Sequence, residues 1–205
     1  MTKEEELALV ARAKAGNADA FEPLVLENQS KVYNLALRMM GNPSDAEDAA
    51  QEAFVKAWNS LKDFRGDSRF SVWLYRLTNN VCIDLLRKQK RQTAISLSQE
   101  NDDGEEMELM IPDGRLSPEE EAERKELQEQ IRAALANLPD EWRSILVLRE
   151  LNGLSYEELA ETLNLEVGTV KSRLNRARKK LCAELIQSGN FSSLTPSNKG
   201  KGCEA

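Results

Sequence analysis

Apolar residues along this chain are spaced mostly as in α-helices, and the strict alternation typical of β-strands is nearly absent. Two expected capping boxes, Ser44 with Glu47 and Ser155 with Glu158, mark helix starts. The predicted helices cover about residues 7–16, 19–40, 45–61, 69–90, 118–138, 140–151, 155–163 and 167–185. The expected fold class is therefore all-α, with two small helical domains.

The fourth predicted helix carries an apolar stripe beside a polar one. The apolar stripe, typical of a buried face, consists of Phe70, Leu74, Leu77, Val81 and Leu85. The polar stripe consists of Arg69, Trp73, Arg76, Asn80, Arg87 and Arg91. Cations on a helix bind phosphates, exposed rings stack on bases, and amides hydrogen-bond to base edges. The polar stripe therefore indicates a nucleic-acid surface, unless Trp73 is half-buried and the arginines only solvate the helix.

The loop before this helix, FRGDS at residues 64–68, favours the nucleic-acid interpretation. Phe64 and Arg65 stand beside Gly66, so a ring and a cation can border a tight turn. Proteins that bind single strands need such a pocket for an unstacked base.

Residues 154–181, LSYEELAETLNLEVGTVKSRLNRARKKL, have the spacing of a helix-turn-helix. The expected buried stripe of its second helix is Val167, Val170, Leu174, Ala177 and Leu181. The expected outward face is Lys171, Ser172, Asn175, Arg176 and Lys179. Between positions 171 and 180 lie six basic residues and no acidic one. A basic amphipathic helix that binds a protein partner is the alternative, but turn spacing and base-reading side chains coincide here and favour DNA.

The negative charge of the chain belongs to one segment. The formal net charge is −7, yet residues 93–129 carry 13 acidic and 3 basic residues, a net of −10. The remainder is therefore at +3 and mildly basic. The acidic stretch also contains Gly and Pro and has no steady period, which predicts a mostly irregular linker.

Several function classes are disfavoured by composition. The sequence contains no histidine, which removes the commonest general base and the commonest metal ligand, and no cofactor is expected. Its three cysteines, Cys82, Cys182 and Cys203, fit a reducing cytoplasm better than a disulfide framework. The acidic N-terminus lacks the apolar core of a signal peptide, and no run of about 18 apolar residues predicts a membrane span. A cytoplasmic location is expected.

Four segments in order resemble motifs of the extracytoplasmic-function (ECF) sigma factors, two-domain promoter-specificity subunits of bacterial RNA polymerase. The segments are DAEDAAQEAFVKAW, FRGDSRFSVWLYR, LPDEWRSILVLRELNGLSYEELAETL and VGTVKSRLNRARKKL. The resemblance covers about residues 5–186. It implies sigma region 2 at 1–92, an acidic linker at 93–125, sigma region 4 at 126–187 and a disordered tail at 188–205.

In region 2, the resemblance implies a surface that opens and reads the promoter −10 element. Its residues would be Phe64, Arg65, Ser68, Trp73, Arg76, Asn80, Arg87, Lys88, Lys90 and Arg91. The 64–68 loop with Asn80 would hold a base flipped from the non-template strand, and Trp73 and Arg76 would lie near the point of strand separation. The last four cations would contact upstream duplex.

The resemblance also implies contacts with core polymerase and with the −35 element. The helix around residues 45–58 would bind the β′ clamp helices through Asp48, Gln51, Glu52, Phe54 and Trp58. The −35 element would be bound by Arg149, Lys171, Ser172, Arg173, Asn175, Arg176 and Lys179. Family members often carry Arg where this chain has Lys171, so no promoter sequence is carried over.

The remaining implied partners are the polymerase β subunit and an anti-sigma protein. The acidic linker would thread toward the polymerase active site and yield to RNA. Neither a small-molecule substrate nor membrane insertion is implied, and the role is not enzymatic.

Three other functions compete with this interpretation. A stand-alone regulator would bind duplex DNA without polymerase. An enzyme would use carboxylates such as Asp45, Asp48 and Glu52 on a metal, but helix-start positions already account for such acids. A structural adaptor would leave both basic faces unexplained. Whether specific DNA binding requires core polymerase separates the first of these from a sigma factor.

Overall fold

The computed structural model describes residues 1–96 and 118–187, and every regular element in those ranges is helical. The α-helices are α1 (Lys3–Lys14), α2 (Glu22–Met40), α3 (Pro43–Asn59), α4 (Phe70–Ser96), α5 (Pro118–Ala136), α6 (Asp140–Leu146), α7 (Tyr156–Leu163) and α8 (Val167–Gln187). Short 3-10 helices at Ala18–Ala20 and Leu61–Asp63 and a π-helical turn at Val147–Leu151 join them. The all-α prediction is confirmed.

In the first half, α2, α3 and α4 pack against one another, and α1 contacts α2 and the Leu61–Asp63 turn. The α3 face toward this core is made only of alanines, which lets the neighbouring helices approach closely. Those residues are Ala46, Ala49, Ala50, Ala53 and Ala57. Larger side chains, including Leu24, Met39, Phe70 and Leu74, fill the space between α2 and α4 and are fully buried.

The start of α3 differs from the predicted capping box. Asn42, not Ser44, is the N-cap, and its side chain accepts a hydrogen bond from the Asp45 backbone N–H at 2.9 Å. Pro43 explains the shift, because it restricts the residue before it to extended backbone and suits the first helical position itself. Gly41, at φ +86°, ends α2 in the left-handed region that favours glycine.

In the second half, α6 and α7 pack against α8, and α5 lies beside α8. The predicted capping box of α7 is confirmed: Ser155 accepts from the Glu158 backbone N–H, and Glu158 accepts from the Ser155 backbone N–H. Asn164, at φ +52°, ends α7 and redirects the chain. Asn tolerates this region better than most residues, which suits the tight turn into α8.

The halves share one continuous buried cluster. At their junction the Arg143 guanidinium is 6 % exposed and donates to backbone carbonyls at the ends of two helices. The acceptors are Met39 at the end of α2 and Leu135, Ala136 and Leu138 at the end of α5. Backbone carbonyls at, or just past, the ends of two helices thus share one buried donor group. Burial lowers the pKa of Arg143, and nearby Asp140 offsets part of that effect.

The predicted linker lies mostly outside the described residues. Its first residues continue α4 to Ser96, and its last ones belong to α5, which begins at Pro118. The predicted tail, 188–205, lies wholly outside them. The domain limits stay a prediction.

Two further observations concern membrane spans and cysteines. Among the residues described, none of the helices combines the length and the apolarity that crossing a bilayer requires. Cys82 is a free, fully buried thiol. Cys182 is disulfide-bonded, which departs from the expectation of unpaired cysteines.

Candidate nucleic-acid interface

Residues 64–69, which connect the Leu61–Asp63 turn to α4 and are called the 64–69 loop below, lie beside an aromatic cluster. Phe64, Phe70 and Trp73 pack with ring centroids 5.3 to 5.8 Å apart, in tilted and edge-to-face arrangements that aromatic pairs prefer. Phe64 is 3 % and Trp73 6 % exposed. The predicted outward orientation of Trp73 is therefore not observed, because its ring packs against both of the others. Phe64 and Trp73 both belong to the buried core.

The polar residues of this region are more accessible than the rings. Arg65, Arg69 and Asn80 are exposed, and Ser68 and Arg76 are half-buried. Arg65 and Ser68 belong to the loop, which Gly66 turns at φ +82°. Arg76 and Asn80 lie farther along α4, and Asn80, ten residues past Phe70, is roughly 15 Å from the start of the helix along its axis. The grouping of these side chains around one base therefore stays a prediction.

Two residues of α1 contact the two ends of this loop, and no pattern in the sequence indicates either of them. The Phe70 backbone N–H donates to Glu6 Oε1 at 2.8 Å, and Lys14 Nζ donates to the Phe64 carbonyl. Lys14 Nζ also lies 5.8 Å from the centre of the Phe64 ring. These pairs are 64 and 50 residues apart in sequence, so no local pattern could reveal them.

The C-terminal part of α4 carries the remaining predicted cations of the first half. Arg87, Lys88, Lys90 and Arg91 are all exposed. Lys90 Nζ forms an ion pair with Asp140 at 2.7 Å, which joins α4 to the start of α6. Arg87 lies 3.9 Å from Asp84, a weak contact at the surface.

On α8, the predicted outward face is exposed along the helix. Lys171, Ser172, Arg176 and Lys179 are exposed, and Asn175 is half-buried. The predicted inward stripe is confirmed at its centre, where Val170, Leu174 and Ala177 are buried. A helix with one buried stripe and a basic opposite face can enter a major groove.

Two of the arginines expected to contact the −35 element are already engaged within the protein. Arg149 donates to the Leu154 carbonyl at 2.5 Å and lies over the Tyr156 ring at 4.8 Å. Arg173 donates to Glu141 at 2.9 Å. Lys171 Nζ is also 5.5 Å from the Tyr156 ring, so this tyrosine orders two cations beside the helix-turn-helix.

The outer face of α3 combines acidic and apolar side chains. Asp48, Gln51 and Glu52 are exposed, Trp58 is 37 % exposed and Phe54 is half-buried. Val55, which sequence reasoning missed, is 54 % exposed on the same face. An exposed β-branched residue next to an exposed tryptophan marks a contact surface.

The two halves meet beside the loop. Ser68, Trp73 and Arg76 line a narrow crevice together with Glu161 and Thr162 of α7. A larger cavity of about 500 Å³ lies between the halves and includes Lys31, Arg69, Tyr75 and residues 151–154. In this arrangement α7 covers part of the surface beside the loop.

Comparison with known proteins gives matches in both halves. The family described as sigma-70 region 2 matches residues 24–92, and sigma-70 region 4 matches residues 128–181. The ECF RNA polymerase sigma factor SigW of Bacillus subtilis is 37 % identical over 86 % of this chain and 94 % of its own length. The ECF sigma-E factor of Escherichia coli K12 is 39 % identical over 84 % of this chain and 90 % of its own length.

Solved structures show the same arrangement of helices. CnrH, solved in complex with the cytosolic domain of CnrY, matches with a TM-score of 0.64 and 31 % identity, over 90 % of this chain and 99 % of that one. RpoE of Bartonella quintana, solved with the anti-sigma factor NepR, matches with a TM-score of 0.63 and 24 % identity, over 82 % and 98 %, and supports the fold alone.

Proposed function

This chain belongs to the ECF group of the sigma-70 family, and on that premise we propose how its surfaces divide the work of promoter-directed initiation with RNA polymerase. The observation that carries the proposal is the presence of two basic surfaces on separate helices, one around the start of α4 and one on α8. A factor that contacts two promoter elements needs two such surfaces.

The first half opens and reads the −10 element. Arg65 and Ser68 in the 64–69 loop, with Arg76 and Asn80 farther along α4, supply hydrogen-bond donors for an extruded base and its phosphates. Unstacking a base costs about a few kcal/mol, which contacts in a ready pocket offset. Phe64 and Trp73 shape the pocket floor, and a base stacks on them only if the rings turn outward.

The cations at the end of α4 hold the duplex upstream. Arg87, Lys88, Lys90 and Arg91 point away from the core and neutralise phosphates without reading sequence. Lys90 has to leave Asp140 for this role. Its transfer from carboxylate to phosphate accompanies separation of the halves.

The second half reads the −35 element with α8. Lys171, Ser172, Asn175 and Arg176 lie nearest the bases, because they occupy the N-terminal part of a recognition helix. Lys179 contacts phosphate farther along. Arg173 also contacts phosphate once it has released Glu141. Arg149 contributes indirectly, because it orders Tyr156 beside the recognition helix.

The outer face of α3 binds the β′ clamp helices of the polymerase. Trp58 and Val55 supply apolar contact, with Phe54 at the edge, and Asp48, Gln51 and Glu52 supply the polar rim. The acidic charges suit a basic partner helix. The β subunit is the other polymerase partner.

The position of α7 against α4 supports regulation by an anti-sigma protein. The crevice shared by Arg76 and Thr162 narrows access to the loop, so promoter opening requires α7 to move away. A protein that binds both halves in the docked arrangement keeps the factor inactive. The factor works in the cytoplasm with the polymerase and is a binding subunit, not an enzyme.

Run-off transcription with bacterial core polymerase tests this proposal. A library of promoter-length DNA is transcribed with and without the protein, and initiation that depends on the protein at a shared pair of spaced elements is expected. Core polymerase that neither binds the protein nor initiates, while the protein alone shifts duplex DNA, would establish a stand-alone regulator instead. The Val55→Asp variant should lose polymerase binding but keep its fold.

A further inference from the structure

Helix α1 contacts the peptide groups at the two ends of the 64–69 loop, at Phe64 and Phe70, and passes close to Gly66 in its middle. Lys14 binds the carbonyl at the start of the loop, on Phe64, and Glu6 binds the amide just after its end, on Phe70. Between these points a Cβ placed on Gly66 would lie 3.3 Å from Leu7 Cδ2. One rigid element therefore meets both ends and the middle of the loop.

We propose that Glu6 and Lys14 are positioning residues for base capture: by fixing both ends of the 64–69 loop, they hold it in the shape that accepts an extruded promoter base. The inference rests on the proposed function, because it assumes that the loop receives this base. Neither residue needs to touch DNA.

Glu6 acts at the start of α4. The first N–H groups of a helix have no partner within the helix, and the helix dipole favours negative charge there. The half-buried Glu6 carboxylate supplies both the acceptor and the charge. It thereby decides where α4 begins and the loop ends.

Lys14 acts at the opposite end of the loop. Phe64 is 3 % exposed, and the Lys14 ammonium meets both its carbonyl and its ring. A charge-assisted hydrogen bond from an ordered helix fixes this peptide group more firmly than a neutral bond does. The orientation of Arg65, the next residue, depends on that peptide group.

The distance between the two contacts sets the span of the loop. Glu6 and Lys14 are eight residues apart, roughly 12 Å along an α-helix. A loop held at both ends over a fixed span has less conformational entropy to lose when it binds a base. Val10 and Ala13, both buried, already anchor α1 to the core, so the two polar contacts are available to position the loop.

The test compares two double variants in the full-length protein bound to core polymerase. The first, Glu6→Ala with Lys14→Met, removes both loop contacts. The second, Lys3→Met with Glu4→Ala, removes the same two charges from exposed positions of the same helix. The probe is the single-stranded non-template −10 segment of a promoter selected in the run-off library, with an abasic site placed at each position in turn.

With the wild-type protein and the control variant, the abasic site at the captured position should weaken binding about tenfold or more. With the loop-contact variant that penalty should fall below about threefold, while duplex −35 binding and polymerase affinity change less than about twofold. A Lys14→Arg variant should keep the full penalty, because the guanidinium also donates to the carbonyl. A loop-contact variant with an undiminished penalty would overturn the inference.

Amide hydrogen exchange provides a readout independent of DNA. Exchange of residues 65–70 should be about tenfold faster in the loop-contact variant, with the α8 amides unchanged. Unchanged exchange in the loop would also overturn the inference. If wild-type holoenzyme shows no position-specific penalty, the proposed base capture fails as well, and exchange then reports only whether α1 orders the loop.

Discussion

In the second half of the chain the contacts that shape the DNA-facing helix pair join residues close in sequence, whereas in the first half they join residues far apart. Ser155 and Glu158 cap α7 across three residues, and Asn164 makes the turn by its own backbone conformation. The 64–69 loop instead depends on Glu6 and Lys14, 64 and 50 positions away.

The surface in the second half is therefore the more robust of the two to changes elsewhere in the chain. The helix-turn-helix has its own caps and buried stripe, and its neighbours α5 and α6 pack against α8 within the same half. The loop keeps its shape only while α1 is docked. The first half is therefore the place where a distant change can alter promoter opening without altering −35 binding.

The largest expected effect breaks the link between the two halves. Arg143→Met leaves several buried carbonyls without a donor, because one guanidinium serves the ends of both α2 and α5. The free energy of unfolding should fall by about 3 kcal/mol or more. Urea denaturation measures it. Arg132→Met, which loses only a surface pair with Glu129, should change the free energy by less than about 0.5 kcal/mol.

A smaller effect should distinguish an α8 arginine that contacts a base from one that forms an ion pair within the protein. Arg176 is exposed, whereas Arg178 donates to Glu150 at 2.7 Å. Arg176→Ala should weaken binding of a −35 duplex about tenfold, the scale of one base contact. Arg178→Ala, with the same loss of charge, should weaken it only about twofold. Fluorescence anisotropy of the holoenzyme on labelled duplex measures both, and equal losses would contradict the assignment of Arg176 to a base.

The caps provide a matched comparison of local signals in each half. Thr2 on α1 and Ser155 on α7 form the same capping box. Ser155→Ala should lower the free energy of unfolding by about 1 kcal/mol, because α7 lies within the packed helix-turn-helix. Thr2→Ala should cost less, since the exposed first turn can fray without exposing the core. Thermal and urea unfolding of both variants measure the two losses in free energy. Equal losses would contradict the expected difference between the caps.

The smallest expected effect is a loss of stability at alkaline pH, which comes from buried groups in the first half. Burial raises the pKa of Cys82 to about 12 from 9.0 and also raises that of Tyr75. A folded-state pKa above the unfolded one means that stability is complete below pH 9 and is lost as pH rises toward 12. At pH 9 the loss due to Cys82 is below about 1 kcal/mol. Urea unfolding between pH 7 and pH 10 should show a shallower fall in Cys82→Ala, and an identical slope would argue against a buried neutral thiol.

Much of the candidate site could be predicted from sequence, because side-chain type and helical period are local properties. The basic outward face of α8 and its buried stripe follow from spacing alone, and the structure places Arg176 outside and Leu174 inside as expected. The exposure of Arg65, Arg69 and Asn80 also agrees with the predicted polar loop and stripe. In contrast, the predicted orientation of Trp73 was wrong. Its ring packs against that of Phe64, a contact that the helical period of α4 cannot reveal.

Sequence alone was sufficient to predict the helices, the turn before α8, the uneven charge and the family to which the chain belongs. All of these depend on residues within a few turns of one another or on motifs in fixed order. Three features required the tertiary structure: the contacts of α1 with the loop, the burial of Phe64 and Trp73, and the packing of α7 beside Arg76. Such contacts depend on how distant helices fill a shared core, and packing leaves no period in the sequence that would reveal them.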